Sequence, residues 1–574
     1  MGKLRPWRYP SEWALFRIDD RLLLIALGVV VGSCSGFAAL LLNRTLVAIL
    51  EMLHNWRHYW WAFLLPATGA ALSSIFLNKI VKERAGHGVP EVILSVSRHG
   101  GLLRLRSSFS RLISSWLTIG SGGSAGPEAP VVMSGAAIGS NIARFFALND
   151  RQRITLVGCG AAGAISSIFN APIAGMVFSI EVIIGEWSAV NIIPIAIASV
   201  AGTEISRFLQ GNQIAFSHRQ FNIGTIDIVA SIGLAAIAAV LSIVLTRLLR
   251  RMHTISGKAK MPLWLRAALG GCAVGMIGIF FPDVLGEGYH SIRMVIEGVY
   301  PGGIAIAFFL TLAKILATSL TLGWGGSGGI FAPCLVIGSF AGIAWHRVLV
   351  FFCPTVSWVN EGCFALIGMA GMISGILQAP LTAIFLIVEI TGGYEEILPL
   401  ILVSTISTTL CHYFEPASFY LRDLVERRQL LRPGTDGRIL TDLSVGELLE
   451  KDCIVVGHQM LLRDFIEIIK KSHRNHFPVE DEQTGKFLGM IQMDHIRPYL
   501  FDTVMYDTVF LEQILEADVV TACPDDDLND VLRRMDALNL FSIPVVDSGK
   551  FVGMISKATI LDQYRKELLV QTTQ

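Results

Sequence analysis

Residues 122–130 read GGSAGPEAP and residues 325–333 read GGSGGIFAP, so one Gly-rich motif occurs twice in the chain. A second pair follows at similar spacing, because GAISSIFNAP at 163–172 matches GMISGILQAP at 371–380. Self-similarity at a fixed spacing is typical of a duplicated architecture. The sequence therefore predicts two related halves.

The second pair lies in two long uncharged runs, from Arg153 to Glu181 and from Glu361 to Glu389. Each run is long enough to cross a bilayer, but an Ala-Pro step interrupts it, and Pro disfavours helix at the residue before it. Such breaks are tolerated at membrane depth only where protein or a water-filled cavity covers the freed backbone, and paired breaks indicate a transport site. We expect broken or re-entrant helices in both halves.

The composition is that of a membrane protein. Of 574 residues, 52% are hydrophobic and 16% charged, with a net charge of zero and a mean hydropathy of +0.57. Such a balance points to a bilayer as solvent and makes a nucleic-acid partner unlikely. The uncharged run Leu22–Asn43 can span a bilayer, and the basic residues before it favour a cytoplasmic N-terminus. The nine cysteines include no CxxC, so we expect neither a disulfide framework nor a metal site.

Charged residues become frequent after residue 421, which predicts a soluble C-terminal part. That part is also duplicated, because GKFLGMI at 485–491 recurs as GKFVGMI at 549–555. Each copy reads as an amphipathic helix, two strands and a short helix. The expected divisions are an N-terminal segment 1–21, a membrane domain 22–420 with halves at about 22–215 and 225–420, a linker 421–440, and two soluble modules at 441–502 and 511–568.

Glu128 is the only charged residue between Arg111 and Arg144. A charged side chain at the bilayer centre costs about 2.5–3.5 kcal/mol on insertion scales. The second half has Phe331 at the matching place, so the frame can be built without an acid there. A functional role therefore explains Glu128 better than the alternative, an interfacial acid that caps a helix N-terminus.

The two Gly-rich motifs have a physical use for anions. Gly exposes consecutive backbone N–H groups, and a helix that follows them presents its positive end. Two such helix starts aimed at one point make an anion site without a full positive charge, so that a bound anion can leave again. Glu128 at that point would be a tethered anion that occupies the site when ionised and vacates it when protonated.

At this stage the chain resembles the CLC family of chloride channels and proton–chloride exchangers. Four motifs carry the resemblance: GHGVP at 86–90, GPEAP at 126–130, GIFAP at 329–333 and PASFY at 416–420. The resemblance implies an all-α, multi-pass membrane domain of two inverted halves with a soluble α/β pair of CBS modules. It also implies a homodimer with one pore per subunit. Glu128 is then the gate, and the anion-binding residues implied are His87, Gly126, Gly329, Ile330, Phe331 and Tyr420.

Three residues depart from the family pattern. His87 stands where the family has a chloride-coordinating serine; imidazole can also donate to an anion, or the backbone can do so alone. Pro127 replaces an arginine. Val182 stands where exchangers of the family carry an internal proton-relaying glutamate, and valine cannot relay a proton. Val182 favours a passive, gated chloride channel, while Glu181 or Glu186 could substitute and so keep a proton-coupled antiporter as the alternative.

The C-terminal modules resemble CBS modules, which often bind adenine nucleotides. The ribose-binding pattern of that family is degraded here. The positions concerned are Gln492, His495, Ser556 and Thr559. A nucleotide at this pair and a purely structural, dimer-stabilising role both remain open.

Other functions fit the sequence less well. The expectation is a transporter rather than an enzyme. A metalloprotease would need HExxH, which does not occur, and Ser124 as a protease nucleophile is a remote alternative because its match to Ser327 suggests backbone architecture. A fluoride-selective relative would have other residues at 86–90. The expected ligands are chloride and membrane lipid, with no required cofactor, in the plasma membrane and with both termini cytoplasmic.

Overall fold

The computed structural model of the protein describes residues 20–54, 59–83, 88–211, 216, 221–427, 443–502 and 504–572. The chain folds as two compact units, Met1–Leu430 and Leu431–Gln574. His87, most of the predicted N-terminal segment and most of the predicted linker lie outside the described residues.

The regular elements of the first unit, among its described residues, are helices, with eight α-helices in each half and one after them, and four short 3-10 or π-helical segments at Trp60–Leu64, Phe76–Val81, Ser179–Ile184 and Pro282–Val284. The first half contains α1 (Asp20–His54), α2 (Leu65–Ile75), α3 (Val89–Arg98), α4 (Ser107–Gly120), α5 (Glu128–Phe145), α6 (Asp150–Phe169), α7 (Pro172–Phe178) and α8 (Ala189–Gln210). The second half contains α9 (Thr225–Lys258), α10 (Leu263–Phe280), α11 (Tyr289–Ile296), α12 (Ile304–Gly323), α13 (Phe331–Phe352), α14 (Glu361–Leu377), α15 (Pro380–Thr391) and α16 (Ile397–Phe414), and α17 (Arg422–Glu426) follows.

The two halves correspond helix by helix, which confirms the predicted duplication. α6 and α14 each begin after an Asn whose side chain accepts a backbone N–H, Asn149 and Asn360. Each ends on a residue in the left-handed conformation, Asn170 at φ 54° and Gln378 at φ 54°. The next helix then begins at the proline of the Ala-Pro step. The breaks predicted in the two uncharged runs are therefore present, at matching places.

Eight helices among the described residues are long and apolar enough to cross a membrane. They are Arg21–Leu53, Trp61–Val81, Ala189–Gln210, Thr225–Lys258, Leu263–Phe280, Ile304–Gly323, Phe331–Phe352 and Ile397–Phe414. Shorter apolar helices, including Glu361–Leu377 and Pro380–Thr391, lie among them. This is the multi-pass, all-α membrane domain that the sequence predicted.

Glycines allow the central helices of each half to pack with their backbones in contact. A Cβ added to Gly160 of α6 would lie 1.9 Å from the carbonyl oxygen of Gly135 in α5. In the second half, a Cβ on Gly368 of α14 would lie 2.3 Å from the carbonyl oxygen of Gly338 in α13. Small residues at such crossings are typical of membrane helix packing. These contacts fix the direction of α5 and α13, the helices that follow the two Gly-rich motifs.

The second unit is the predicted α/β pair. Its elements are β1 (Val456–Gly457), α18 (Leu462–Lys471), β2 (His476–Glu480), β3 (Phe487–Gln492), α19 (Met493–Ile496), α20 (Leu528–Ala537), β4 (Ser542–Asp547), β5 (Lys550–Ser556) and α21 (Lys557–Thr572). β2 pairs with β3 and β4 with β5, both antiparallel, while β1 runs parallel to β2. The prediction of a short final helix is right for α19 and wrong for α21, which continues for 16 residues.

The two modules exchange their leading segments. Leu443, Val445 and Leu448 lie at the start of the first module in sequence but pack in the hydrophobic core of the second. Val509 and Leu511 lie at the start of the second module in sequence but pack in the core of the first. The sequence repeat therefore does not coincide with the two packed cores, and each core includes residues from both sequence copies.

Candidate anion site and gate

The two Gly-rich motifs meet at a short antiparallel bridge. The N–H of Gly126 donates to the carbonyl of Gly329 at 2.8 Å, and the N–H of Gly329 donates to the carbonyl of Gly126 at 2.7 Å. α5 and α13 begin two residues beyond these glycines, so both helix N-termini start at one place. Because the bridge uses the amides of both glycines, anion binding would fall to the N–H groups after them, which begin the helices and lack helical partners.

Threonine side chains at matching positions of the two halves support this junction through hydrogen bonds. The hydroxyl of Thr321 accepts from the N–H of Ser124, and the hydroxyl of Thr118 accepts from the N–H of Ser327, both at 3.1 Å. The Ser124 hydroxyl contacts that of Thr318 at 3.0 Å. Ser124 is therefore part of the crossed support between halves, and no described histidine is paired with it as in a serine protease.

The carboxylate of Glu128, the first residue of α5, lies at the junction of the two helix N-termini. Glu128 is only 1% exposed, and its Oε1 accepts a hydrogen bond from the hydroxyl of Tyr289 at 2.5 Å. A Cβ on Gly126 would lie 2.1 Å from Oε2 of Glu128 and 3.0 Å from the backbone nitrogen of Ala332 in α13. Gly126 thus leaves room for the carboxylate between the two helix ends. A negative group occupies the point that two helix N-termini make favourable for anions.

Phe331 begins α13 as Glu128 begins α5, in agreement with the sequence repeat. Its ring packs against those of Phe169 at 5.6 Å and Phe178 at 6.4 Å between centroids. Ile330 before it is fully buried. The second half therefore contributes an apolar wall and backbone N–H groups, while the first half contributes the acid.

Two charged residues near Glu128 were not singled out by sequence reasoning. Glu287 precedes α11, and the charges of Glu128 and Lys314 act on its carboxyl. Lys314 of α12 is fully buried, and its Nζ donates to the carbonyls of Val284 and Gly286 at 2.9 Å each. Glu128 is the only charged residue between Arg111 and Arg144 in the sequence, while Glu287 and Lys314 come from a distant part of the chain.

A sequence signal for Lys314 was available. It is the only Lys, Arg, Asp or Glu between Glu297 and Arg347, which is the same pattern that drew attention to Glu128. Intramembrane ionisable residues are functional-site candidates by default. Glu287 and Tyr289 gave no comparable signal, because the GEGYH segment at 286–290 is not isolated among apolar residues.

Tyr420 is buried, 2% exposed, next to Phe419 at 5.6 Å between ring centroids. The hydroxyl is within electrostatic reach of Glu128 and of Cys334 in α13. A pore role for Tyr420 stays a prediction. His87 lies outside the described residues, and its role stays a prediction.

Comparison with known proteins assigns the family. The family model described as voltage gated chloride channel matches residues 69–412, more than half of the chain, and CBS domain models match 445–502 and 511–566. The chain belongs to the CLC family. A ClcB-like chloride channel protein of Ralstonia nicotianae is 30% identical over 64% of this chain and 87% of that protein. The H+/Cl− exchange transporter ClcA of Vibrio cholerae is 29% identical over 60% of this chain and 74% of that protein.

The fold extends through both units. The crystal structure of a eukaryotic CLC transporter aligns with a TM-score of 0.63, 16% identity, and coverage of 94% of this chain and 98% of that one. At this identity the likeness concerns the fold alone. The family models confirm the predicted combination of a CLC membrane domain with CBS modules.

In this CLC protein, Glu181 and Glu389 have matching structural roles. Glu181 accepts from the N–H of Thr382 at 2.8 Å at the start of α15, and Glu389 accepts from the N–H of Ala174 at 2.7 Å at the start of α7. Each acid caps a helix of the opposite half. The Glu181 carboxylate is therefore hydrogen-bonded. Glu186 is exposed, and Val182 is half-buried and packs against the hydrophobic core. A proton-relaying role for Glu181 or Glu186 in place of the missing glutamate at Val182 stays a prediction.

The side chains of the four candidate ligand residues of the CBS pair contact glutamate carboxylates of the chain itself. Gln492 donates to Glu516 at 3.1 Å, and Nδ1 of His495 lies 4.0 Å from the same carboxylate. Ser556 donates to Glu450 at 2.6 Å, and Thr559 donates to the same oxygen.

Glu450 lies near the start of the first module and binds side chains of the second, while Glu516 lies near the start of the second module and binds a side chain of the first. The backbone bridge of Glu450 to Met554 matches that of Glu516 to Met490. These carboxylates tie the modules together, so a ligand at the candidate positions would have to displace them.

Glu450 predicts how the CBS unit responds to acid. Partial burial raises the pKa of Glu450, but hydrogen bonds from Ser556, Thr559 and Arg474 outweigh burial and hold the pKa below its ordinary value of 4.5. A carboxyl with a depressed folded-state pKa contributes stability above its unfolded pKa, and that contribution is lost as the pH falls through the folded-state value. The CBS pair should therefore lose this contribution below about pH 4.5.

We expect Glu450→Gln to speed amide exchange in β5 of the full-length protein about fivefold at neutral pH, as loss of about 1 kcal/mol implies. Comparing variant and wild type at each pH cancels intrinsic exchange chemistry, and the difference should shrink well below pH 4.5. Glu512→Gln, at an exposed residue, is the control. Equal exchange in all three proteins at neutral pH would contradict the tie between modules.

Proposed function

We propose that the protein exchanges chloride for protons across the membrane, with the Glu128 carboxyl as both gate and proton carrier. The proposal rests on the position of the Glu128 side chain. It is buried where two helix N-termini meet, and it accepts a hydrogen bond from the hydroxyl of Tyr289. Ionised, the carboxylate holds the site that an anion would take. Protonated, it loses its attraction to the helix ends and can leave.

The proton part of the proposal is supported by the relatives. The ClcA proteins are named as H+/Cl− exchange transporters, and 74% of the Vibrio cholerae protein aligns with this chain. A route for protons that does not use position 182 then has to exist, because Val182 carries no proton. The buried polar groups beside Glu128 are the place where such a route can begin.

A gated chloride channel is the second candidate, and Val182 is the observation that favours it. The chloride channel protein of Ralstonia nicotianae is a relative of similar identity. A channel would keep the Glu128 gate and let protons bind to it without being carried across. The two candidates share the anion, the gate and the site, and differ only in whether proton and chloride movements are linked.

The test is the chloride reversal potential of purified protein in liposomes under a pH gradient. For an exchanger, an imposed pH gradient drives chloride against its own gradient, and the reversal potential shifts with the pH difference. For a channel, the reversal potential follows chloride alone. A shift supports the proposal, and a reversal potential independent of the pH gradient overturns it in favour of the channel.

We propose the remaining features on the family resemblance. They are a homodimer with one pore per subunit, a plasma-membrane location with both termini cytoplasmic, chloride preferred to fluoride, and the domain divisions given above, with His87 beside the anion path. For the CBS pair we favour the structural role over nucleotide binding, because Glu450 and Glu516 occupy the candidate ligand groups.

A further inference from the structure

We propose that a pocket lined by four arginines binds a phosphate group, and we assign that phosphate to the headgroup of an anionic lipid. The pocket lies in the first unit, between the C-terminal part of α9, the end of α16 and α17, and has a volume of about 540 Å³. Its arginines are Arg247, Arg250 and Arg251 of α9 and Arg422 of α17. None of them belongs to the anion site, so the proposal holds equally for an exchanger and for a channel.

Two glutamates hold three of the guanidinium groups in place. The Glu415 carboxylate accepts a hydrogen bond from Nε of Arg247 at 2.7 Å and another from Arg422. Glu426 accepts from Nε of Arg422 at 3.1 Å and lies 3.1 Å from Nη2 of Arg250. The side chain of Glu415 is only 9% exposed, so it is a buried anchor for the arginines that it binds. The pocket is therefore a set of positioned cations.

The charge balance leaves this set positive. Four guanidinium groups face two carboxylates, and Arg251 is exposed and forms no ion pair within the part of the chain that the structure describes. Each guanidinium has five N–H donors, and the glutamates use only one or two of them. The remaining donors are available to a ligand, and the planar fork of arginine matches the oxygens of a phosphate.

The position of the pocket along α9 favours a lipid as the source of the phosphate. α9 has 34 residues, which corresponds to a length of about 51 Å, while the hydrocarbon core of a bilayer is about 30 Å thick. One or both ends of α9 therefore extend beyond the hydrocarbon core. The apolar stretch of α9 ends at Leu249, and Arg250 and Arg251 follow directly. We infer that the pocket lies at the depth of the lipid headgroups.

The residues around the pocket support the same source. Phe414 lines the pocket at the end of α16 and is exposed, as is Tyr413 beside it. Exposed aromatic and basic side chains together suit a molecule that has both a phosphate and an acyl chain. Lys258 and Lys260 extend the basic segment, which indicates the cytoplasmic side, where basic pockets between membrane helices bind anionic headgroups.

The experiment titrates the purified full-length protein in detergent with dioleoylphosphatidylglycerol or dioleoylphosphatidylcholine and measures bound lipid by native mass spectrometry. We expect the wild type to bind phosphatidylglycerol about tenfold more tightly than phosphatidylcholine. Arg251→Gln should weaken phosphatidylglycerol binding about fivefold, and Arg250→Gln combined with Arg251→Gln about 25-fold. Arg251→Gln breaks no ion pair among the described residues, so the fold should be unaffected. Lys258→Gln removes an exposed charge of the same helix outside the pocket and should change binding by less than about twofold.

Inorganic phosphate separates the two possible sources of the ligand. If the site takes a lipid headgroup, excess inorganic phosphate should displace little phosphatidylglycerol from the wild type. Full displacement by inorganic phosphate overturns the lipid assignment in favour of a soluble phosphate compound. Equal affinity of the wild type for the two lipids, or phosphatidylglycerol binding that is unchanged in the double variant, overturns the pocket as a phosphate site.

Discussion

Glu128→Gln should abolish proton transport while chloride continues to move at a rate that no longer depends on pH. The amide has nearly the same shape as the carboxyl and can still contact the Tyr289 hydroxyl, which limits structural change. It cannot take up or release a proton, and without a negative charge it competes weakly for the helix N-termini. Loss of a positioned proton carrier typically costs about 100-fold or more, so proton flux should fall to background.

The measurement is simultaneous recording of chloride efflux and proton uptake from liposomes between acid and neutral pH. Glu51→Gln, at an exposed acid of α1, should behave as wild type. Phe331→Leu tests the matching helix start and should change the chloride rate without removing its pH dependence. Chloride flux in Glu128→Gln that still rises with acid would show that another group is the gate.

The sequence predicted the backbone framework of the anion site because the motifs that form it occur twice in the chain. The Gly-rich motifs and the Ala-Pro steps recur in register, and both carry local physics that requires no knowledge of packing: glycine permits the turn and proline forbids helix before it. The reciprocal caps of Glu181 and Glu389 follow from the same repeat. The two acids stand at matching places of the repeat, and their hydrogen bonds show that each caps a helix of the opposite half.

The surroundings of Glu128 were not predictable in the same way. Tyr289 is far from Glu128 in the chain, and its hydroxyl reaches the Glu128 carboxylate because α11 packs against α13. No local pattern encodes that meeting, and the first half has no acid at the place of Glu287. The uncharged neighbourhood of Glu128 in sequence therefore carried no information about which charged residues approach it in space.

The contacts between the two CBS modules also could not be predicted from the sequence. Internal similarity located two modules but said nothing of the exchange of leading segments. Glu450 and Glu516 occupy matching positions, yet their targets lie in opposite modules, and a repeat alone cannot distinguish contacts within a copy from contacts between copies. The long α21 was missed because the module pattern ends where a short helix suffices.

Gly160→Ala should cost the membrane unit about 3 kcal/mol or more of stability, at or above the upper end of usual overpacking penalties. In an isolated helix the same change would stabilise by up to about 1 kcal/mol. Here the new methyl would lie 1.9 Å from the backbone oxygen of Gly135, which cannot rotate away. α5 and α6 would have to separate, and α5 carries Glu128 at its first residue. Thermal unfolding of purified protein in detergent measures the loss.

Gly257→Ala separates the clash from the general effect of replacing glycine in a helix. Gly257 lies in α9, and a Cβ there would meet nothing within 4 Å. That variant should be as stable as wild type or slightly more stable, by up to about 1 kcal/mol. The same substitution thus acts with opposite sign at two helical glycines, and only the backbone contact of α5 with α6 distinguishes them. If both variants unfold like wild type, α5 is not held by that contact, and the position of Glu128 must be fixed by the Gly126–Gly329 bridge alone.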